Sequence, residues 1–176
     1  MPFDWTEDNL RAQYNVAKQN GWVDLIKAAA EASGQPAEML LGIASRETGF
    51  LWLRHPDGAI LGDGGHGHGL MQIDDRSFPE FCRSAAWRDI AKNVAKGIEV
   101  LQGKEAFLRH HGIEEAMFPR AAVAAYNCGE GNVLKAIRAG QDVDVHTAHG
   151  TYSADALARA DVFKGFLAED TSSPSA

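Results

Sequence analysis

The stretch Gly62-Asp63-Gly64-Gly65-His66-Gly67-His68-Gly69-Leu70-Met71-Gln72-Ile73-Asp74 breaks an otherwise helical chain. Seven of the nine residues from Gly62 to Leu70 are Gly or His. Glycine at that density cannot hold a helix, so the segment predicts a loop or a short β-hairpin. Leu70-Met71-Gln72-Ile73 then forms a short strand candidate, with Leu70 and Gln72 on one side and Met71 and Ile73 on the other.

Outward from this segment the apolar spacing is helical. Upstream, Met39, Leu40, Ile43 and Ala44 form a stripe that ends near Thr48-Gly49, and Pro36 suits the first turn of that helix. Thr6 is placed to cap a helix running to about Asn20, with Leu10, Tyr14 and Ala17 on one face and Gly21 as its stop. Trp22, Leu25, Ile26 and Ala29 mark a second helix, broken by Ser33-Gly34-Gln35-Pro36. Downstream, Ile90, Val94, Ile98 and Leu101 continue the pattern. Ala121 to Asn127 is nearly all small and apolar with no charged face, which predicts a buried central helix. Ser153 is expected to cap a final helix carrying Leu157, Val162, Phe163 and Phe166. The expected class is mainly α, with a small β-hairpin or short sheet beside a buried central helix. One domain is expected over residues 1–170, with 171–176 as a disordered tail.

Composition narrows the function. The 176 residues are 45% hydrophobic and carry a net charge of -7. That charge argues against nucleic acid, whose phosphates are bound by Lys and Arg. No apolar run approaches the roughly 20 residues of a membrane-spanning helix, so no membrane insertion is expected. The N-terminus is acidic and lacks the basic-then-apolar order of a signal peptide. Cys82 and Cys128 could form one bridge or remain two thiols, and the usual burial of unpaired cysteine favours thiols.

Three segments carry candidate chemistry. In Ser45-Arg46-Glu47-Thr48-Gly49-Phe50, Glu47 follows Ile43 by four residues and Met39 by eight, so it lies on or beside an apolar stripe. Burial there favours a protonated carboxyl, the form that can donate to a glycosidic oxygen. Alone, Glu47 also reads as a helix-end carboxylate bound to Arg46 or to backbone. In Gly69–Asp74, Gln72 offers a donor and an acceptor. Asp63 and Asp74 are candidate bases, or simply turn-terminating residues. In Ala124-Ala125-Tyr126-Asn127-Cys128-Gly129, a Tyr–Asn pair closes the small-residue helix.

Taken in order, Arg46-Glu47-Thr48-Gly49-Phe50, Gly69–Ile73 and Ala125-Tyr126-Asn127-x-Gly129 resemble the signature of lysozyme-like transglycosylase domains. Gly62 to Asp74 is more closely similar to the Gly-Asp-x-Gly-x-Gly-x-Gly-Leu-Met-Gln-φ-Asp stretch of goose-type lysozymes, glycoside hydrolase family 23. Gly129–Val133 and Tyr152–Ala160 resemble later parts of that family, and the resemblance spans roughly Leu25 to Phe166. It implies a lysozyme-like α+β fold and hydrolysis of the β-1,4 bond between N-acetylmuramic acid and N-acetylglucosamine in peptidoglycan. It further implies Glu47 as general acid, Asp63 and Asp74 holding the attacking water, and Gln72, Tyr126, Asn127 and Tyr152 lining the saccharide cleft. Two departures stand out: the stretch between Glu47 and Asp63 is longer than the family's, and Cys128 replaces a small residue such as Ala.

A base set back from the acid, with roughly 6.5–9.5 Å between carboxyls, marks inverting hydrolysis. Asp63 and Asp74 flank the strand candidate, which favours that reading, with Asp74 the preferred base. A lytic transglycosylase giving 1,6-anhydro products, a chitinase acting on chito-oligosaccharides, and an inactive wall-glycan-binding module are the competing readings. The negative charge sits awkwardly with an anionic wall, although salt screens that repulsion. Trp52 is the best candidate sugar platform, while Trp5, Trp22 and Trp87 read as core. His66 and His68 invite a metal reading, but no third ligand follows, so no metal or cofactor is expected and His68 is assigned to substrate contact. A monomer acting outside the cytoplasm is expected, exported by a route that leaves no signal peptide in this chain.

Overall fold

Thr6 starts the first helix as the sequence predicts. In the computed structural model, which describes residues 3–50 and 60–172, its side chain accepts from Asn9 N at 3.2 Å and Asn9 Oδ1 accepts from Thr6 N at 3.1 Å. This capping box satisfies two amides that a helix start would leave unpaired. It opens α1 (Glu7–Gln19), which buries Leu10, Tyr14 and Ala17. Gly21 turns the chain into α2 (Trp22–Ser33), and Pro36 precedes α3 (Ala37–Thr48). The later helices are α4 (Pro79–Arg83), α5 (Ile90–His110), α6 (Arg120–Cys128), α7 (Glu130–Arg138) and α8 (Tyr152–Ser172).

The fold is mainly α with a small sheet. Strands β1 (Leu61–Gly62), β2 (Gly67–His68) and β3 (Ile73–Asp74) pair antiparallel in that order. Leu61 faces His68, and His68 faces Ile73. The α6 segment is the buried helix its composition requires: Ala121, Ala122, Val123, Ala124 and Ala125 are all fully enclosed.

Helices α3 and α8 make the closest packing. A Cβ at Gly42 would lie 2.3 Å from Ala156 O and 3.1 Å from Ala160 Cβ, so only glycine allows this approach. The two helices run in opposite directions. Gly42 faces Ala156 and Ala160, whereas Glu47, near the end of α3, meets Tyr152 at the start of α8.

Three expectations need correction. Leu70–Gln72 is a turn rather than a strand, and only Ile73 of that candidate enters the sheet. Leu70 and Met71 are both fully buried, so the alternation does not hold. The cause lies on α5. Asn93 Oδ1 accepts from Met71 N at 2.8 Å and its Nδ2 donates to His68 O at 3.0 Å, so these groups are taken from any strand partner. Gly69, at φ +76°, passes so close that a Cβ there would sit 2.4 Å from Asn93 Nδ2. Second, Ser153 is not the side-chain cap of the last helix, because α8 begins at Tyr152. Asp144, 1% exposed, accepts from Ser153 N at 2.8 Å, Ser153 Oγ at 2.7 Å and Ala154 N at 3.1 Å. Third, Thr171 and Ser172, expected in a disordered tail, are the last residues of α8. Their hydroxyls bond back to Ala168 O at 2.8 and 3.1 Å.

Candidate active site

A cleft of about 520 Å³ opens where α3, α6, α8 and the sheet converge. Its lining includes Glu47, Asp63, Gln72, Asp74, Tyr126, Asn127 and Tyr152, so seven residues singled out from the sequence come together there. His68 does not line it. That ring packs edge-on against Trp87 with centroids 4.9 Å apart, and its Nε2 lies 3.3 Å from Asp75 Oδ2. Trp87 is buried, in keeping with its core reading. Trp52 lies outside the described residues.

Glu47 occupies the last turn of α3, and its carboxyl is enclosed by protein although the residue opens partly to the cleft. Burial pushes its pKa up to about 7, against the opposing pull of the Tyr152 hydrogen bond and the Arg46 charge. Tyr152, 1% exposed, donates its hydroxyl to Glu47 Oε1. Burial and the nearby Glu47 hold that phenol well above its ordinary range, so it remains a donor. Tyr152 therefore touches the carboxyl itself and offers little face to a sugar. Arg46, which the alternative reading paired with Glu47, lies 2.8 Å from Asp155 Oδ2.

The other carboxylates stand on the sheet side and are more exposed. Asp74 Oδ1 accepts from Arg76 Nε at 2.7 Å, and its Oδ2 accepts from Ser77 Oγ at 2.8 Å and Ser77 N at 3.1 Å. Burial works against ionisation of Asp74, but the Ser77 and Arg76 contacts outweigh it and hold its pKa below the ordinary value. Arg76 Nη2 also reaches Asp63 Oδ2 at 2.5 Å, so one guanidinium ties both carboxylates together. Sequence reasoning missed Arg76, although an Arg two residues after Asp74 was a signal.

The turn between β2 and β3 is fixed through its carbonyls. Besides the His68 O contact with Asn93, Gly69 O accepts from Gln72 Nε2 at 2.8 Å and Met71 O accepts from the Tyr126 hydroxyl at 2.8 Å. Thr48 Oγ1 lies 3.4 Å from Leu70 O, which links the end of α3 to the same turn. Gln72, at φ +49°, has its amide nitrogen engaged and keeps its carbonyl for another donor. Asn127 Oδ1 accepts from Ala148 N at 2.9 Å, leaving its NH2 group as the available end. Asn93 was not singled out from the sequence. The signal was a polar residue beside the Ile90–Val94–Ile98 stripe, four positions before Gly97.

Cys82 and Cys128 are both free thiols; Cys128 lines the cleft and Cys82 is buried. Among the described residues no three His, Cys, Asp or Glu side chains are grouped to hold a metal ion. The arrangement thus offers an enclosed carboxyl that titrates near neutrality, two carboxylates tied to Arg76 on a polar wall, and amide groups suited to hydroxyl and acetamido substituents.

Comparison with known proteins agrees with this chemistry. Residues 9–166 match the family described as Lysozyme g, a longer match than the resemblance read from Leu25 onward. The chain is 32% identical to lysozyme g of Gallus gallus over 165 residues, covering 87% of this chain and 68% of that protein. It is 27% identical to lysozyme g of Casuarius casuarius over 156 residues, covering 87% and 78%. Similarity to lysozyme g of Cyprinus carpio is 28% over 159 residues, again covering 87% and 78%.

Proposed function

The chain belongs to the lysozyme g family and is a muramidase-type glycoside hydrolase, and from that premise we propose how it acts. It cleaves the β-1,4 bond between N-acetylmuramic acid and N-acetylglucosamine in peptidoglycan by inversion, as a member of glycoside hydrolase family 23. Glu47 is the general acid. With Oε1 accepting from Tyr152, its proton is left to Oε2 and passes to the bridging glycosidic oxygen as the C1–O bond breaks. Asp74, aided by Asp63, orients a water and accepts its proton as the new C1–O bond forms, with the configuration at C1 inverted. Gln72 and Asn127 hold the sugars through their amide groups, and Tyr126 fixes the turn that carries Gln72. The observation that carries this reading is the enclosed Glu47 carboxyl, raised to about 7 at the wall of a cleft that also holds Arg76-bound carboxylates.

The substrate lies outside the cytoplasm, and action there follows from it. Among the described residues no helix is long and apolar enough to cross a membrane. Mass spectrometry of digested peptidoglycan tests the reaction type: reducing muramyl ends are expected, with the α-anomer formed first by NMR. Predominant 1,6-anhydro products would remove the water-activating role from Asp63 and Asp74.

A further inference from the structure

Beside Glu47, α3 and α8 enclose a second charge cluster that the glycan chemistry above does not use. Asp155 is 7% exposed. Its Oδ1 accepts from Trp5 Nε1 at 2.6 Å and from Arg159 Nε at 2.9 Å, while its Oδ2 lies 2.8 Å from Arg46 Nε. Arg159 also donates to Ser45 Oγ at 3.0 Å, and Ser45 Oγ donates to Gln13 Oε1 at 2.6 Å. The carboxylate is thus fixed by the N-terminal segment, by α3 and by α8 at once.

Arg46 is the member with consequences for the cleft. It precedes Glu47 in the chain, lines the same cleft, and carries its guanidinium 5.4 Å from the Tyr152 ring centroid. Among the described residues, the titratable groups facing Glu47 are Arg46 from its own helix, Tyr152 from α8 and Tyr126 from α6. On the facing wall Asp63, Asp74 and Arg76 sum to one negative charge, and Lys104 is paired with Glu130 at 2.5 Å. Among the described residues, Arg46 is therefore the cation whose charge acts on Glu47. The Arg46 side chain is 22% exposed but its Nε is enclosed, and an enclosed cationic donor gains from a carboxylate beside it. Two carboxyls are within its reach, and it lies against Asp155.

We propose that Asp155 is a positioning residue for glycan cleavage: by engaging Arg46 it keeps that guanidinium off the Glu47 carboxyl. This rests on the reading of Glu47 as general acid. Without Asp155, Arg46 turns to the remaining carboxyl and draws it into an ion pair, and Glu47 gives up its proton before substrate arrives. Trp5 and Arg159 serve the same end, holding Asp155 where Arg46 can meet it.

The test follows the carboxyl carbon of Glu47 by ¹³C NMR titration, assigned by its absence in Glu47→Gln, beside the pH profile of peptidoglycan cleavage. In Asp155→Asn the titration is expected to fall by about one pH unit, with the alkaline limb of activity falling alongside. Arg46→Gln is expected to move the titration upward, and Asp155→Glu to restore most of the original value. In the double variant Asp155→Asn/Arg46→Gln the downward shift disappears, because the effect passes through Arg46. An unshifted Glu47 titration in folded Asp155→Asn, or a full downward shift surviving in the double variant, would overturn the proposal. Should Asp155→Asn fail to fold, an unmoved titration in folded Trp5→Phe/Arg159→Gln, which frees Asp155 Oδ1 from both its donors, does the same. A titration that shifts while the activity limb stays in place would uphold Asp155 and remove Glu47 from the acid role.

Discussion

Glu47 and Asp74 are both carboxylates on one cleft, and their surroundings push them in opposite directions. Glu47 stands where α3 and α8 close on each other through Gly42, out of contact with most solvent, and burial raises it to about 7. Asp74 stands on a two-residue strand, a third exposed, where Ser77 and Arg76 lower it. One region favours a protonated carboxyl by excluding water, and the other favours a charged one by hydrogen bonding near the surface. The acid and base roles proposed for Glu47 and Asp74 need such a separation at one pH, and it follows from where each residue sits in the fold. The helical wall depends on contacts more than 100 residues apart in sequence, as between Glu47 and Tyr152. The sheet wall is assembled within the 15 residues from Asp63 to Ser77, then fastened to α5 by Asn93.

The largest change is expected from removing the proton on the helical wall. Glu47→Gln should lower peptidoglycan turnover by about 10²–10⁴-fold, the usual worth of a positioned acid, while saccharide binding persists. Loss of bacterial turbidity measures the first, and calorimetric titration with a chitotetraose the second. Near-normal lysis would erase the distinction between the two walls. Next comes the packing that encloses Glu47. Gly42→Ala forces a methyl against Ala156 O and should cost about 1–3 kcal/mol by denaturant unfolding. Because it spreads α3 from α8, it should also lower turnover, by up to about 10²-fold. A variant that unfolds normally and keeps full activity would show that the close helix contact does not set the acid. The smallest effect is expected on the sheet side. Arg76→Gln removes the cation shared by Asp63 and Asp74 and should raise the Asp74 pKa toward its ordinary value. The acidic limb of kcat/KM then moves to higher pH by less than about one unit, with turnover reduced less than about tenfold, as suits an exposed ion pair. Movement of the alkaline limb instead would mean that Arg76 acts on Glu47.

The same contrast separates what the sequence reveals from what it hides. The helices are legible because each buries a stripe set by local spacing. The Thr6 cap, the Gly21 stop and the all-small α6 segment follow from residues within a few positions of one another. Glu47 is legible as a candidate because its place on the Met39–Ile43 stripe makes a charged form costly. The Leu70–Gln72 turn is not, since its amide and carbonyl groups are claimed by Asn93 and Tyr126, which lie 22 and 55 residues away. Local alternation reads as strand until those distant partners are known. The contact of Arg46 with Asp155 is hidden for the same reason, because a neighbouring Glu47 is the nearer choice in sequence and Asp155 the nearer in space.

The central claim is that Glu47 holds its proton up to neutral pH because α3 and α8 bury it. Its titration in the wild-type protein, followed at the ¹³C-labelled carboxyl with Glu47→Gln as the blank, measures this most directly. A midpoint near 7, matched by an alkaline limb of activity at the same pH, is the predicted result. A midpoint at the ordinary carboxylate value of about 4.3 would contradict it.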